Sequence, residues 1–208
     1  MKYMIENASS GGPFANHARK FLVEHPEASH QLLTMITDVV VKHIVHQVKA
    51  GAQIIQVFDP YAGDMGPLLF SEFDLPSLRQ IAKNVKDKLR QINMEPVPMI
   101  IFAKKVPYAI EELSKAGYDV VALDYCVEPR RAREAAGNVT LQGNLDPVMM
   151  FGTKDEIQSA VKEMMEQFGT QHYIANVGLG LLGDTDPDKV ATFVDAVHTC
   201  SKYMNASS

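Results

Sequence analysis

A repeated alternation of short β-rich runs with helical patterns, beginning after residue 51, most constrains what this chain can fold into. The predicted strands lie at residues 53–58, 97–103, 119–123, 138–142 and 172–177. Each is followed by a stretch with helical periodicity, and strands that alternate with helices form parallel βαβ units. Runs such as residues 99–102 are almost wholly apolar, which is typical of strands that helices cover on both faces.

Proline and glycine mark the predicted helix ends. The leading segment, residues 1–50, is predicted to hold a small polar loop at 7–12, a helix from Pro13 to about Glu24, and a long helix from Pro26 to Ala50 that Gly51 closes. The later helices are predicted at residues 75–92, 107–116, 129–136, 154–168 and 187–204.

Two α/β architectures fit this order of elements. One is an open, doubly wound parallel sheet, and the other is part of a (β/α)8 barrel. Both place ligands at the carboxyl ends of the strands, which here are the loops 59–73, 103–107, 124–129, 143–153 and 178–186. The length of 208 residues suits a single domain over 1–208, with residues 51–208 forming five βα units.

Composition excludes several classes of protein. The chain is 46% hydrophobic and 22% charged, as packed globular proteins are. Its net charge of −5 provides no basic field for nucleic acid, and no apolar run reaches the ~18–20 residues that a membrane helix needs. Residues 1–7 lack the apolar core of a signal peptide, so we expect a cytoplasmic protein whose Cys126 and Cys200 are reduced.

Charged residues follow several predicted strands. An acid in this position is often catalytic in a parallel α/β protein, but it can equally cap the next helix, and both interpretations stay open for Asp59, Asp124 and Asp146. Lys104 and Lys105 directly follow the second strand, where they would either bind an anionic substrate or face solvent.

The last loop contains a literal G-x-G-x-x-G at residues 178–183. A dinucleotide site needs the helix to begin within the glycines, whereas Asp186 and Pro187 predict a later helix start. Backbone N–H groups that bind a phosphate or carboxylate are the better interpretation of these glycines. Asp184, Asp186 and Asp188 fit helix capping better than a metal site, and the His43–His46 pair lacks a third ligand.

Long strings of residues go further than these patterns. They are PEASHQLL at 26–33, VPMIIFAK at 97–104, TLQGNLDP at 140–147, YIAN at 173–176 and FVDAVH at 193–198. In order and over nearly the whole chain, they resemble uroporphyrinogen decarboxylase. The resemblance implies a (β/α)8 barrel, usually a homodimer, that removes acetate carboxylates from uroporphyrinogen to give coproporphyrinogen in haem biosynthesis without a metal or organic cofactor.

The resemblance also assigns substrate-binding positions. Tyr3 matches the active-site tyrosine of the family, and Phe58 matches a residue that lines the cleft. Pro60 stands at a substrate-binding serine, and Leu179 stands at a substrate-contacting histidine. Proline and leucine offer neither a side-chain hydrogen bond nor a proton. Lys104 is a further candidate for binding the anionic substrate, and no residue is assigned a catalytic role.

The five predicted strands fall short of the eight of a barrel, so the chain resembles only the later part of the family chain. We therefore expect weak or no decarboxylation by these 208 residues alone. The alternative hypotheses are a non-catalytic tetrapyrrole-binding paralogue, and a partner that pairs with another chain or with itself. Raw sheet edges favour such pairing.

Overall fold

A computed structural model describes residues 1–6 and 16–206, except the side chains of Tyr3, Glu6 and Asn16. The chain divides into two compact units, Met1–Tyr118 and Asp119–Ser208. The predicted loop at 7–12 and the predicted helix start at Pro13 lie outside the described residues. The prediction of one domain over 1–208 stays a prediction.

The first unit consists of helices, two strands and short irregular turns. Its elements are α1 (Lys2–Glu6), α2 (Asn16–Glu24), α3 (Pro26–Lys49), β1 (Ile55–Asp59), α4 (Ala62–Leu69), a π-helical turn (Phe70–Asp74), α5 (Leu75–Gln91), β2 (Met99–Ala103), a 3-10 turn (Pro107–Ala109) and α6 (Ile110–Ser114).

The second unit continues the alternation of strands and helices. Its elements are β3 (Val120–Ala122), α7 (Pro129–Ala136), β4 (Thr140–Leu145), a 3-10 turn (Pro147–Phe151), α8 (Lys154–Phe168), β5 (Tyr173–Val177) and α9 (Pro187–Ala206).

The strands form one parallel sheet in the order β1-β2-β3-β4-β5. A doubly wound sheet reverses its strand order part-way, whereas strands that follow one another in sequence order are the arrangement of a (β/α)8 barrel. Within the described residues the sheet does not close, since β1 and β5 are its outermost strands. The predicted α/β class, with about five parallel strands of an incomplete barrel, is confirmed.

Local signals explain why several helices begin and end as predicted. Pro26 opens α3, and Gly51 follows its end with φ +107, a conformation that glycine adopts without strain. Thr153 and Glu156 form a reciprocal capping box at the start of α8. The carboxylate of Glu128 accepts hydrogen bonds from the backbone N–H groups of Arg130 and Arg131 at the start of α7.

The predicted loop at 59–73 is wrong, because most of it is helical. Helix α4 and the π-helical turn fill it and run directly into α5. Gly66, with φ 72 and ψ 166, kinks the helix, and Pro67 follows the kink where its missing N–H costs no hydrogen bond. Gly66 and Pro67 therefore mark a bend within helical structure rather than the absence of a helix.

The predicted boundary between the fourth strand and its loop is also wrong. The prediction ended the strand at residue 142, whereas β4 extends to Leu145 and includes Gly143 and Asn144. Gly143 has φ +140, and a Cβ there would lie 2.9 Å from the carbonyl oxygen of Leu123. This glycine permits a close approach of two strands instead of ending one.

Side chains from helices and strands bury the interior of each unit. In the first unit, Leu22, Leu33 and Phe73 join α2, α3 and the π-helical turn in one apolar cluster. Ile157, Val161 and Phe168 form the buried stripe of α8 in the second unit. Among the described residues, no helix is both long enough and apolar enough to span a bilayer.

A substitution at Gly178, directly after β5, tests how tightly the second unit is packed. A Cβ on Gly178 would lie 2.7 Å from Tyr125 Cα and 2.9 Å from Asn144 O, so Gly178→Ala forces backbone to move. We expect a loss of about 1–3 kcal/mol of unfolding free energy, measured by urea denaturation. Gly180→Ala is the matched control, because its Cβ would meet nothing within 4 Å. Equal stability of the two variants would contradict this packing.

Candidate functional site

An aromatic surface lies at the carboxyl end of β1. Phe58 pairs in register with Phe102 on β2, and their ring centroids are 5.9 Å apart in an edge-on arrangement. Phe102 is buried, whereas 64% of Phe58 is exposed. A large aromatic ring that is held by a strand and left open to solvent offers a face for a flat apolar ligand.

The next residues of the two strands place Pro60 and Lys104 at the same end. Lys104 donates its backbone N–H to the carbonyl oxygen of Asp59 at 3.0 Å, which extends the β1–β2 pairing by one residue. Its own carbonyl oxygen accepts a hydrogen bond from the N–H of Gly63 at 2.9 Å. Lys104 is half-buried and Pro60 is exposed. The structure thus brings Phe58, Pro60 and Lys104 together at one edge of the first unit.

Close backbone packing fixes this end of the strands. A Cβ on Gly63 would lie 2.8 Å from the carbonyl oxygen of Lys105 and 3.0 Å from that of Lys104. Lys105 itself has φ +61, a left-handed conformation that is uncommon for a lysine. Only a glycine at position 63 lets α4 approach the turn after β2 this closely.

Helix α1 contributes a lysine to this part of the unit. The ammonium group of Lys2 pairs with the carboxylate of Asp64 at 2.9 Å and lies 3.8 Å from the ring centroid of Tyr61. The backbone of Tyr3 belongs to α1. The side chain of Tyr3 lies outside the described residues, so its role as the family tyrosine stays a prediction.

A pair of carboxyl groups lies beside β1. Asp59 ends the strand, and Asp74 stands directly before α5. The two side chains share a hydrogen bond, in which the protonated Asp74 donates to Asp59. The backbone N–H of Tyr61 also donates to Asp59 at 3.3 Å. Asp59 therefore caps the next turn and holds Asp74 at the same time.

Burial keeps one proton on this pair. Burial, followed by the charge of Asp59, raises the pKa of Asp74 to about 8. Burial also raises the pKa of Asp59, although its hydrogen bonds from Tyr61 and Asp74 work against that shift. Burial, then the charges of Asp74 and Asp59, raises the pKa of Tyr108. The pair thus holds a single negative charge at neutral pH.

Strand geometry separates the carboxyl pair from the aromatic surface. Successive side chains of a strand point to opposite faces, so Asp59 shares a face with Ile55 and Val57, while Phe58 points to the other. Because β1 is the outermost strand of the described sheet, Phe58 and Asp59 nevertheless border one cavity at its edge. The interpretation of Asp59 as a cap fits this geometry, and Asp74 is its partner, which the sequence patterns did not reveal.

A cavity of about 490 Å³, which we call the β1 cavity, adjoins β1 in the first unit. Apolar side chains of α2, α3 and α5 line most of it, and its charged groups are Lys2, Arg19, Asp59, Asp64 and Asp74. Its volume falls within the range of small-molecule sites. Apolar walls with a few charged groups suit a ligand that is itself mostly apolar or an added segment of polypeptide.

The strand ends of the second unit are occupied by local hydrogen bonds. The buried Asn144 donates from Nδ2 to the carbonyl oxygens of Asp124 and Val127, both at 2.8 Å. Asp124 accepts from the N–H of Cys126, and Asp146 accepts from the N–H of Val148. Asp146 thus caps the 3-10 turn that follows it, whereas Asp124 bonds within a turn, and the next helix, α7, is capped by Glu128 instead.

Leu179 lies in the loop after β5, next to the buried Gly178, whose N–H donates to the carbonyl oxygen of Leu145 at 2.7 Å. Asp186 accepts from the N–H of Asp188 and caps α9, as predicted, so the glycines at 178–183 precede the helix rather than open it. Among the described residues, no three His, Cys, Asp or Glu side chains come close enough to hold a metal ion.

Comparison with known proteins assigns the family. The family model for uroporphyrinogen decarboxylase (URO-D) matches residues 1–200. Uroporphyrinogen decarboxylases of Danio rerio and Homo sapiens are each 50% identical to 98% of this chain, and that of Salinibacter ruber is 43% identical. The chain belongs to the uroporphyrinogen decarboxylase family. It spans about half the length of these relatives, 55% of the first two and 56% of the third.

A solved structure supports the fold of this family member. A methyltransferase from Methanosarcina mazei matches with a TM-score of 0.75 and 21% sequence identity, over 86% of this chain and 52% of the methyltransferase chain. At that identity the likeness concerns the fold alone. The substrate-binding roles of Tyr3, Phe58, Pro60, Lys104 and Leu179 stay predictions of the sequence resemblance.

The carboxyl pair predicts a pH-dependent stability. Asp74 keeps its proton up to about pH 8 in the folded chain but loses it near pH 4 in the unfolded chain. Unfolding between these pH values therefore releases a proton, so the unfolding free energy falls as pH rises from about 4 to 8. A single proton gives a slope of at most about 1.4 kcal/mol per pH unit.

Asp74→Asn removes this titration, so its unfolding free energy should decline less over that pH interval. Urea unfolding at pH 4 and pH 8 measures the difference. Asp38→Asn, at an exposed position on α3, is the charge-matched control and should follow the original chain. The same slope for Asp74→Asn and Asp38→Asn would contradict a shared proton.

Proposed function

We propose that this chain supplies part of the tetrapyrrole site of a uroporphyrinogen decarboxylase. Identity of 50% to family members over nearly the whole chain supports the proposal. The structural observation that carries it is Phe58, an aromatic ring that β1 leaves 64% exposed at the carboxyl end of the sheet. Ligands of parallel α/β folds bind at this end, and a planar pyrrole can stack on such a ring.

The family reaction needs few chemical groups. Protonation of a pyrrole carbon turns the ring into an electron sink. The bond between the acetate methylene and its carboxylate then breaks, its electron pair moves into the ring, and CO₂ leaves. The methylene carbon takes up a proton and becomes a methyl group, and the proton first added to the ring is released. The protein must position the carboxylates and deliver the proton.

Two positions of this chain provide no side-chain group for that task. Pro60 and Leu179 provide no side-chain donor at two positions where the resemblance expects a serine and a histidine. Lys104 remains at the end of β2 as a cation for a substrate carboxylate. We therefore propose that decarboxylation depends on the part of the family domain that this chain does not match. Tetrapyrrole binding without turnover by the 208 residues is the second candidate, favoured by the same two positions.

Two further expectations belong to this proposal. The free thiols of Cys126 and Cys200 support a reducing compartment such as the cytoplasm. Pairing of the chain with itself or with another chain is supported by the outermost position of β1 and β5 among the described strands.

Activity of the 208 residues tests the proposal directly. Anaerobic incubation with uroporphyrinogen, followed by oxidation and chromatography of the porphyrins, should give no coproporphyrin above the protein-free control. The variant Pro60→Ser with Leu179→His should also remain inactive, because it restores two donors without the unmatched part of the domain. Coproporphyrinogen formed at an enzymatic rate by either protein would overturn the proposed dependence.

Binding tests the role of Phe58 separately. We expect Phe58→Ala to weaken the affinity for coproporphyrin about tenfold, which corresponds to ~1.4 kcal/mol, because the main exposed ring of β1 is lost. Fluorescence titration measures this change. Met35→Ala, which truncates a 67% exposed side chain on α3, is the control and should bind as the original chain does. Unchanged affinity of Phe58→Ala would remove Phe58 from the site.

A further inference from the structure

The turn that follows β3, residues 124–127, lies across the carboxyl end of β4, and we call it the β3 turn. The buried Asn144 of β4 holds it by donating from Nδ2 to the carbonyl oxygens of its first and last residues, both at 2.8 Å. Beyond β4, a Cβ on Gly178 would lie 2.7 Å from Tyr125 Cα and 2.9 Å from Asn144 O. The β3 turn therefore reaches from β3 over β4 to the end of β5.

This packing places Tyr125 beside position 179. Gly178 follows β5, and its N–H donates to the carbonyl oxygen of Leu145 at 2.7 Å, which fixes the start of the loop after β5. The backbone of Gly178 touches that of Tyr125, and Leu179 is the next residue of the chain. Tyr125 and Leu179 are therefore neighbours at the carboxyl end of the strands, although they are distant in sequence.

The side chain of Tyr125 is accessible to a ligand. It is 39% exposed, whereas the preceding Asp124 is 2% exposed. Cys126 is close enough to form a hydrogen bond with the hydroxyl of Tyr125. A thiol that donates to the hydroxyl oxygen leaves the O–H of the tyrosine able to donate to a ligand. Ligands of barrel folds bind at this end of the strands.

Neighbouring groups keep the proton on this hydroxyl. Cys126, through its charge and hydrogen bond, raises the pKa of Tyr125 above its ordinary value, and desolvation and the charges of Asp146 and Asp124 raise it further. Both carboxylates accept a backbone N–H, Asp124 from Cys126 and Asp146 from Val148. Tyr125 is therefore an uncharged hydrogen-bond donor at neutral pH.

The charges around the β3 turn do not exclude an anionic ligand. Asp124 is buried and Asp146 caps the turn after β4. Helix α7 begins directly after the β3 turn, and two exposed arginines, Arg130 and Arg131, lie in its first turn. A carboxylate that approaches Tyr125 therefore meets cations as well as acids.

Position 179 lacks the side-chain donor that the family resemblance expects. Leucine forms no side-chain hydrogen bond, whereas the expected histidine contacts the substrate. The neighbouring Tyr125 provides an O–H donor from the β3 turn instead of from the loop after β5. A hydroxyl that donates to a carboxylate forms a charge-assisted hydrogen bond, which is stronger than one between neutral groups.

We propose that Tyr125 is a further substrate-binding residue, whose hydroxyl donates a hydrogen bond to a carboxylate of the tetrapyrrole and replaces the donor that Leu179 lacks. This inference rests on the proposed function and names an additional residue of the same site.

Removal of the hydroxyl alone tests the proposal. We expect Tyr125→Phe to weaken the affinity for coproporphyrin about tenfold, because a hydrogen bond to a charged group is lost while the ring stays in place. Fluorescence titration at neutral pH measures the change. Tyr203→Phe is the matched control, since it removes a hydroxyl from a 76% exposed tyrosine near the end of α9. It should bind within about twofold of the original chain.

A donor restored at position 179 tests whether one group replaces the other. We expect Leu179→His to recover most of the affinity that Tyr125→Phe loses. In the original chain, the same substitution should raise the affinity by no more than about threefold, because Tyr125 already serves the carboxylate. Titration of the original chain, the two single variants and the double variant measures this coupling.

Thermal unfolding of each variant alone confirms that it folds. If the original chain binds coproporphyrin and the folded Tyr125→Phe binds it equally well, the inference is overturned and the proposed function stands. Equal gains from Leu179→His with and without the tyrosine would overturn it too, because the two positions would then act independently. Absence of saturable binding by the original chain would reject the proposed function, and the inference with it.

Discussion

The parallel ladder between β1 and β2 is the interaction on which the candidate site depends. It begins at Ile55 and continues past the last strand residue, where Lys104 donates to Asp59. This ladder fixes the register that places Phe58 against Phe102 and brings Lys104 to the end where Pro60 follows β1. Since strand side chains alternate, the same ladder turns Asp59 away from Phe58. One set of backbone hydrogen bonds thereby turns the half-buried Asp59 to the face of β1 opposite Phe58, although both residues border the β1 cavity.

Signals that act within a few residues predicted the fold well. Helices α7 and α8 have the predicted bounds because Glu128 and Thr153 accept hydrogen bonds from backbone N–H groups two or three residues later. All the residues that set these helix starts are therefore visible in a short stretch of sequence. Helix α4 was not predicted, because Gly66 and Pro67 mark loops more often than bends. The loop prediction at Gly143 failed for a similar reason, because the residue that approaches it, Leu123, follows β3 and is distant in sequence.

The candidate site was predicted less completely, because its chemistry depends on distant partners. Periodicity placed Asp59 at the end of a strand but could not identify Asp74, which lies at the end of the π-helical turn and reaches Asp59 only in the folded chain. Phe58 was singled out by the family resemblance, and its exposure became evident only from the sheet register. Pro60 and Leu179 were assigned by resemblance alone. Nothing in the residues themselves indicates that relatives have a serine and a histidine at these positions.

The residues at the strand ends and the position of β1 in the sheet both bear on the proposed function. Chemically, the proposed function needs donors for the substrate carboxylates and the ring, and Pro60 and Leu179 provide none from their side chains. Architecturally, β1 ends the described sheet with backbone groups of Gln56 and Phe58 turned outward. Phe58 belongs to both problems, because its ring faces the ligand side while its backbone faces the open edge.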